Sequence, residues 1–253
     1  MFSCFITAFF MKWQITVHGF ARWRLLTTKF LTKTTMTTKN KTSKKEISEP
    51  SCKTDVVRGS LLVIGDVHGK IDNYWKILQK HKKGRSIQVG DFGFKKQHDW
   101  HLKNIDWTQH QINFGNHDDY TFLNEPHSLS NWSYSYESKI MTVRGAYSID
   151  KEFRIKDVDW WENEELNYEE MSNAIGHYLF NKPKIMITHD CPQSVREFLF
   201  GITDKSLTTN GLQQMFELHQ PDLWIFGHHH KSKTETINGT KFICLSELET
   251  MLL

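Results

Sequence analysis

Five short stretches of the chain combine aspartate, asparagine and histidine at the ends of apolar runs. They are GDVHG at 65–69, GD at 90–91, GNHD at 115–118, HD at 189–190 and GHHH at 227–230. Carboxylate, amide and imidazole groups together suit divalent ions such as Mn, Fe, Zn, Ni or Co better than Mg or Ca alone. Each stretch by itself could be a turn or a surface histidine, but their joint occurrence favours a shared metal site.

The residues before these stretches predict the elements that position them. Runs of Val, Ile, Leu and Phe closed by glycine, such as Leu61–Ile64, are typical of buried strands. Residues 72–83, DNYWKILQKHKK, predict a helix between the first two strands. Alternating strands and helices indicate an α/β fold with parallel pairing. In such sheets ligands bind at the carboxyl ends of the strands, and all five stretches lie there.

The spacing inside two stretches indicates which side chains point together. In an extended chain, residues i and i+2 face the same way and residue i+1 faces the opposite way. Asp66 and His68 are therefore expected to face one metal, with Val67 in the core. By the same argument His228 and His230 share a face, and His229 turns away toward packing or toward support of a ligand.

In order, the five stretches resemble the motifs of the calcineurin-like metallophosphoesterases. The motifs of that family run D-x-H, G-D-x-x, G-N-H-D/E, a lone H and G-H-x-H. The matching stretches span about residues 61–232 of this chain. Residues 144–165, RGAYSID…R…WWENEE, are similar to a stretch in small phage and bacterial members of the family.

The resemblance implies a four-layer α-β-β-α sandwich, an α/β fold in which two mixed sheets are flanked by helices. It also implies two divalent metal ions. The first ion would be held by Asp66, His68, Asp91 and His230, and the second by Asp91, Asn116, His189 and His228, with Asp91 as the bridge. His117 would face the substrate instead of a metal, and we predict that it is the catalytic general acid.

The predicted chemistry follows from this pair of ions. Two cations roughly 3.5–4 Å apart can bridge a hydroxide, lower its pKa and neutralise phosphate oxygens. We therefore predict a phosphoesterase that hydrolyses phosphate monoesters or diesters. Its expected partner is a phosphorylated substrate of unspecified class. Nucleic acid is expected only as a substrate, no membrane is expected as a partner, and the oligomeric state is left open.

Two alternative functions stay open beside this prediction. Ser/Thr protein phosphatases carry G-D-x-x-D-R-G, whereas this chain has GDFGFKK, so Phe94 and Lys95 stand where that Asp and Arg would be. A non-catalytic metal-binding or scaffold member of the fold would be expected to have lost ligand residues, and every metal position that aligns is intact. Both observations favour the phosphoesterase.

Charge sets the N-terminal part of the chain apart. Residues 1–45 contain nine Lys or Arg and no acid, which leaves 23 basic and 29 acidic residues and a net charge of −6 in the remainder. We expect residues 1–55 to be a basic, Thr- and Lys-rich disordered extension and residues 56–253 to be the metallophosphoesterase domain. Organellar targeting by the extension and translation from Met36 are open alternatives.

The cysteines and the first residues indicate the compartment. Four cysteines without C-x-x-C spacing predict reduced thiols and hence a cytoplasmic protein. The apolar stretch MFSCFITAFFM has eleven residues, whereas a membrane span needs about 20.

Several polar residues outside the predicted ligand set receive plainer interpretations. Asp118 and Asp190 are expected either to orient a neighbouring histidine or to be solvated. Arg144 and Arg154 are expected to be solvated or structural. Residues 124–136 are polar and aromatic and are expected to form a loop over the site.

A chain that begins at Asp55 is expected to fold and to keep its activity, because the predicted domain starts after the basic extension. Circular dichroism and phosphate-ester hydrolysis, both compared with the full-length protein, measure the two properties. An insoluble or inactive shortened chain beside an active full-length chain would show that the extension is structural.

Overall fold

The computed structural model describes residues 60–81, 84–93 and 103–253. The strands are β1 (Leu61–Ile64), β2 (Arg85–Gln88), β3 (His110–Ile112), β4 (Trp132–Ser135), β5 (Ile140–Val143), β6 (Ile185–Thr188), β7 (Leu223–Phe226), β8 (Lys233–Ile237), β9 (Thr240–Cys244) and β10 (Thr250–Leu252). The helices are α1 (Ile71–Lys80), α2 (Tyr168–Asn181), α3 (Gln193–Phe200) and α4 (Leu207–Leu218). One sheet has the order β10-β1-β2-β3 and the other β4-β5-β6-β7-β9-β8.

Both sheets are mixed. Strands β1, β2 and β3 run parallel, and β10 pairs antiparallel with β1. Strands β5, β6, β7 and β9 also run parallel, and the antiparallel strands β4 and β8 lie at the two edges. Parallel strands present their carboxyl ends at one edge of a sheet, so the motifs that follow β1, β2 and β3, and those that follow β6 and β7, are grouped by the topology.

The alternation of side chains along the strands produces the layers. In β7, Ile225 packs between the two sheets, while Trp224 points to the outer face of its sheet. That outer face is covered by helical residues such as Tyr178 of α2 and Met215 of α4. Because both faces are covered, β7 is apolar throughout and β6 is apolar up to its last residue. The other sheet is covered by α1, which buries Tyr74.

The order of layers is therefore helix, sheet, sheet, helix, which confirms the predicted α-β-β-α sandwich of two mixed sheets. The predicted run Leu61–Ile64 coincides with β1, and the helix predicted at 72–83 appears as α1. The expectation of a loop over residues 124–136 is partly wrong. Residues Trp132–Ser135 of that stretch form the edge strand β4, because they pair with β5.

Two parts of the sequence-based expectations lie outside the described residues. They are the extension at residues 1–55 and the GDFGFKK stretch beyond Gly93. Over the part of the chain that the structure describes, none of the helices combines the length and the apolar character that crossing a membrane requires.

Candidate metal centre

The seven predicted metal ligands lie together where β1, β2, β3, β6 and β7 end. Four of them place one donor atom each within 4.8 Å of one another and are called the first cluster: Asp66, His68, Asp91 and His230. Asp91 meets the same criterion with two others, His189 and His228, and we add the adjacent Asn116 to form the second cluster: Asp91, His189, His228 and Asn116. Asp91 belongs to both clusters.

The two oxygens of Asp91 face different clusters. Oδ1 lies 3.3 Å from Nε2 of His189 and accepts a hydrogen bond from the backbone N–H of His117 at 2.8 Å. Oδ2 lies 3.8 Å from Nε2 of His68. Oδ2 is buried and has no hydrogen-bond partner among the described residues. A buried carboxylate oxygen needs a positive or hydrogen-bonding partner, and a cation would supply it.

The spacing of the donor atoms fits metal coordination. Metal–nitrogen and metal–oxygen bonds are about 2.0–2.2 Å long, so two ligands on one ion stand roughly 3–3.5 Å apart. Asn116 Oδ1 is 3.3 Å from His189 Nε2, and His230 Nε2 is 3.3 Å from Asp66 Oδ2. The residues present therefore fit a divalent ion in each cluster.

The charges of the second cluster favour a cation. Burial alone would raise the pKa of the Asp91 carboxyl, but the neighbouring histidines, His189 foremost, together hold that pKa well below its usual range. Burial opposes protonation of His189, yet Asp91 raises the pKa of His189 to about 9. Without a metal, Asp91 favours a proton on the His189 ring. A divalent ion would replace that proton as the positive charge beside Asp91, and the imidazole would then be a neutral ligand.

The pKa of His228 is shifted in the opposite direction from that of His189. Burial lowers the pKa of His228 to about 3, so its ring is neutral near pH 7 and has a lone pair for a metal. In the first cluster, the hydrogen bond with Asp66 raises the pKa of His230. Metal binding to His230 would therefore displace a proton, and the affinity for the metal would rise with pH.

The backbone at several ligands is not extended, so the argument from i, i+2 spacing is wrong in its geometry, although Asp66 and His68 both belong to the first cluster as expected. His68, His228 and His230 have φ values of 47°, 66° and 51°, in the left-handed region that non-glycine residues seldom adopt. As a result His228 and His230 reach different clusters instead of sharing one face. Val67, in contrast, is buried in the core as expected.

Such conformations cost of order 1–3 kcal/mol each and persist where the surroundings enforce them, often at functional sites. Asp91 adds a fourth case, with φ of 57°.

Two glycines allow the close approach of the strands. A Cβ on Gly227 would overlap Asp66 Oδ1, and a Cβ on Gly115 would overlap Asp91 Oδ1.

Asp118 has a role that differs from both of its expected roles. It is fully buried, and its carboxylate accepts hydrogen bonds from the backbone N–H groups of Asp91, Gly93 and Gly115 at 2.8–2.9 Å. It therefore ties the loop after β2 to the loop after β3, and among the described residues it is hydrogen-bonded to no histidine. Burial and the charge of Asp91 raise the pKa of Asp118 to about 7, against the effect of these N–H donors.

Asn116 is oriented by two residues that the sequence interpretation missed. Its Nδ2 donates to Ser148 Oγ at 3.2 Å, and Ser148 Oγ donates to Glu164 Oε2 at 2.7 Å. The backbone N–H of Ser148 donates to the other Glu164 oxygen. This chain of hydrogen bonds engages the amide nitrogen of Asn116 and leaves its oxygen turned toward His189, as a metal ligand requires.

Asp190 and His229 support the second cluster from outside. Asp190 Oδ1 lies 3.2 Å from His229 Nε2 and accepts from the Cys191 backbone N–H. The His229 ring stacks on Phe200 with 4.0 Å between ring centroids. Of the two expected roles of Asp190, orientation of a neighbouring histidine matches the structure, and His229 is a packing residue as expected.

His117 lies beside the first cluster and belongs to neither cluster. Its ring centroid is 5.4 Å from that of His68. Its Nε2 is 3.0 Å from Nη2 of Arg154, and because a guanidinium only donates, His117 Nε2 accepts. Desolvation lowers the pKa of His117, and the charge of Arg154 adds to this effect while Asp91 opposes it.

The residues that the sequence interpretation missed come mostly from one stretch. Ser148, Arg154 and Glu164 all belong to residues 144–165, whose similarity to phage and bacterial family members was the available signal. Arg144 of the same stretch is structural, as expected. It is buried, donates to Asn131 Oδ1 and the Asn163 carbonyl, and its guanidinium lies over the Tyr120 ring.

Comparison with known families agrees with the motifs. A family model described as calcineurin-like phosphoesterase matches residues 59–232. None of the curated proteins matches the chain.

Three solved structures illustrate the likeness of the fold. A phosphopantetheinyl hydrolase from Mycobacterium tuberculosis has 12% identity and a TM-score of 0.45, over 74% of this chain and 89% of that chain. A protein serine/threonine phosphatase from Saccharomyces cerevisiae has 11% identity and a TM-score of 0.41, over 74% and 67%. A conserved uncharacterized protein from Streptococcus pneumoniae has 11% identity and a TM-score of 0.38, over 76% and 75%. The family assignment rests on the family model and not on these likenesses.

Replacement of Asp91 by asparagine is expected to lower metal content at both clusters, because the amide offers one ligand oxygen where the carboxylate offers two. The wild-type chain should retain about two divalent ions, as two-metal sites do. Elemental analysis after dialysis measures the difference. Asp222→Asn, an exposed carboxylate before β7, is the control and should leave metal content unchanged. Retention of both ions by Asp91→Asn would contradict the bridge.

Replacement of Asp118 by asparagine is expected to destabilise the metal-free protein by about 2–3 kcal/mol, because an amide NH₂ would face a buried backbone N–H that now has an acceptor. Urea unfolding of the metal-free proteins measures the change. Asp119→Asn is the matched control. Its carboxylate caps Thr121 at the start of a short 3₁₀ helix, and asparagine caps about as well as aspartate. Equal losses in the two variants would show that the three hydrogen bonds of Asp118 contribute no special stability.

Proposed function

Since the chain belongs to the calcineurin-like phosphoesterase family, whose model covers more than half of it, we propose that it is a dinuclear-metal-dependent phosphoesterase. The proposed reaction is hydrolysis of phosphate monoesters or diesters. One observation carries the proposal: two adjacent donor clusters share Asp91, and each of its oxygens faces one of them. Divalent ions bound there would supply Lewis-acid chemistry, activating water and neutralising charge on the phosphoryl oxygens.

The residues of the chain would divide the work as follows. The seven ligands hold the ions, and Asp118, Ser148 and Glu164 hold the ligands and their loops in place. His117 is exposed beside the first cluster, and its backbone N–H is anchored on Asp91. We assign His117 as the general acid that protonates the leaving oxygen of the ester.

The two alternative functions predict different features. A Ser/Thr protein phosphatase is disfavoured because GDFGFKK lacks the D-R-G residues. A non-catalytic scaffold member would have no need to keep seven ligands together, with hydrogen-bonded support for Asn116. A cytoplasmic location is in keeping with the free thiols of Cys191 and Cys244.

A panel of substrates tests the proposed activity. Purified protein with Mn²⁺ is offered p-nitrophenyl phosphate, bis-p-nitrophenyl phosphate, cyclic nucleotides and phosphopeptides. Metal-dependent release of phosphate or alcohol from at least one ester is expected, and it should disappear on chelation. A metal-loaded protein that hydrolyses none of them would favour the scaffold alternative, and hydrolysis of phosphopeptides alone would favour a protein phosphatase.

His117→Ala is expected to slow hydrolysis of alkyl esters far more than that of aryl esters. A p-nitrophenolate leaves without a proton, whereas an alkoxide needs one, and general acid catalysis contributes about 10²–10⁴-fold. The measurement is kcat for both ester types in both proteins, with metal content determined in parallel. His177→Ala is the control, since His177 lies on α2 and stacks on Trp132.

Equal losses on the two ester types would argue for phosphate positioning by His117 instead of acid catalysis. Loss of metal from His117→Ala would make His117 a ligand and overturn its assignment.

A further inference from the structure

Arg154 is a cationic side chain in direct contact with the proposed catalytic residue. It follows the short 3₁₀ helix Lys151–Phe153, and its Nη2 lies 3.0 Å from His117 Nε2. The expectation that Arg154 is merely solvated or structural does not account for this contact, because a solvated arginine would not be directed at the metal centre. Its charge is therefore placed at the edge of the first cluster.

The guanidinium is held in position by its own segment of the chain. Nη2 donates to Asp150 Oδ2 at 2.9 Å, and Nη1 donates to the Asp159 carbonyl at 3.2 Å. The side chain is 10% exposed. Little further ordering of this side chain would be needed on binding a ligand, which preserves affinity.

Of the two contacts that Arg154 Nη2 makes, the one to His117 can be replaced by a contact to substrate. Nη2 carries two hydrogens, and its two partners are the Asp150 carboxylate and the His117 ring. A hydrogen bond from arginine to a charged phosphoryl oxygen is about twice as strong as one to a neutral acceptor. An incoming phosphate group would therefore take the N–H that now points to His117, while the pair with Asp150 is kept.

We propose that Arg154 binds the third non-bridging phosphoryl oxygen of a phosphate monoester, which a diester lacks, and thereby selects monoesters over diesters. This inference rests on the proposed phosphoesterase function. A monoester has three non-bridging oxygens and a charge of about −1.5 to −2 near pH 7, whereas a diester has two such oxygens and a single charge. One more fixed cation at the site stabilises the bound monoester more than the bound diester.

A second consequence concerns His117. When the phosphate takes the Arg154 N–H, the Nε2 atom of His117 loses its donor. That nitrogen holds a lone pair while it accepts from Arg154, so it is then free to take up a proton from solvent and to pass that proton to the leaving oxygen. Arg154 acts on the substrate directly and on His117 only through release of this contact.

The test compares Arg154→Gln with wild type on p-nitrophenyl phosphate and bis-p-nitrophenyl phosphate with Mn²⁺. The expected loss in kcat/KM is about 10- to 150-fold for the monoester, the range of one hydrogen bond to a charged group. For the diester it is less than about threefold, because the third oxygen is absent. Arg154→Lys keeps the charge without the planar donors and should lose less than Arg154→Gln does.

Lys151→Gln is the matched control. It removes one positive charge three residues earlier, where the Lys151 ammonium lies over the Tyr147 ring, and it should leave both rates unchanged. Equal losses on the two esters in Arg154→Gln, or no loss on either, would overturn the proposal. A purely structural role would lower the melting temperature and reduce both activities together.

Binding of inorganic phosphate to the Mn²⁺-loaded proteins, measured by calorimetry, separates this inference from the proposed function. If wild type hydrolyses no ester of the panel but binds phosphate about tenfold or more tightly than Arg154→Gln does, the proposed phosphoesterase function is wrong and the Arg154 subsite stands. If wild type and Arg154→Gln bind phosphate equally, or neither binds it, the subsite is wrong whatever the activity.

Discussion

The fold is organised around one buried carboxylate, that of Asp91. An ionised carboxylate is costly to bury unless it is paired and hydrogen-bonded, and Asp91 is fully buried. The chain compensates from several directions at once: His189 provides charge, the backbone of His117 provides a hydrogen bond, and glycine at 115 provides room. These contacts come from the ends of separate strands, so the carboxylate imposes the relative positions of β2, β3 and β6.

A second buried carboxylate, that of Asp118, holds the backbone of Asp91 in place. Its oxygens bind the backbone of Asp91 and of Gly115, which fixes the left-handed turn at Asp91 that a strand would not otherwise adopt. The left-handed residues at the site cost free energy, and the hydrogen bonds of Asp118 offset part of that cost. The ligand geometry is thus enforced by backbone contacts one step away from the clusters, and not by the conformational preferences of the ligands themselves.

The sequence predicted more about the members of the site than about its geometry. Apolar runs closed by polar residues located β1 and the other motif strands, because burial on both faces leaves a compositional pattern. Spacing alone placed His228 and His230 on one face, which is wrong, since the i, i+2 argument assumes an extended chain and these residues have positive φ. The resemblance to the family, in contrast, assigned the two histidines to different ions, and they lie in different clusters. The partners of Asn116 were out of reach, because Ser148 and Glu164 lie 32 and 48 positions away along the chain and meet it only in the folded state.

The segment at 144–165 contacts both a predicted metal ligand, Asn116, and the predicted general acid, His117. Ser148 and Glu164 hold the amide of Asn116, while Arg154 from the same segment reaches His117. Asn116 and His117 are adjacent in the chain, so one segment contacts two neighbouring side chains with different tasks. Any shift of the segment would move Asn116 and His117 together. The GDFGFKK stretch lacks the Asp and Arg that protein phosphatases carry at that motif. An aspartate–arginine pair, Asp150 and Arg154, lies in this segment, and Arg154 contacts His117. In the proposed function, an arginine from this segment would bind phosphate, whereas in protein phosphatases the arginine of the D-R-G motif is at hand for that task.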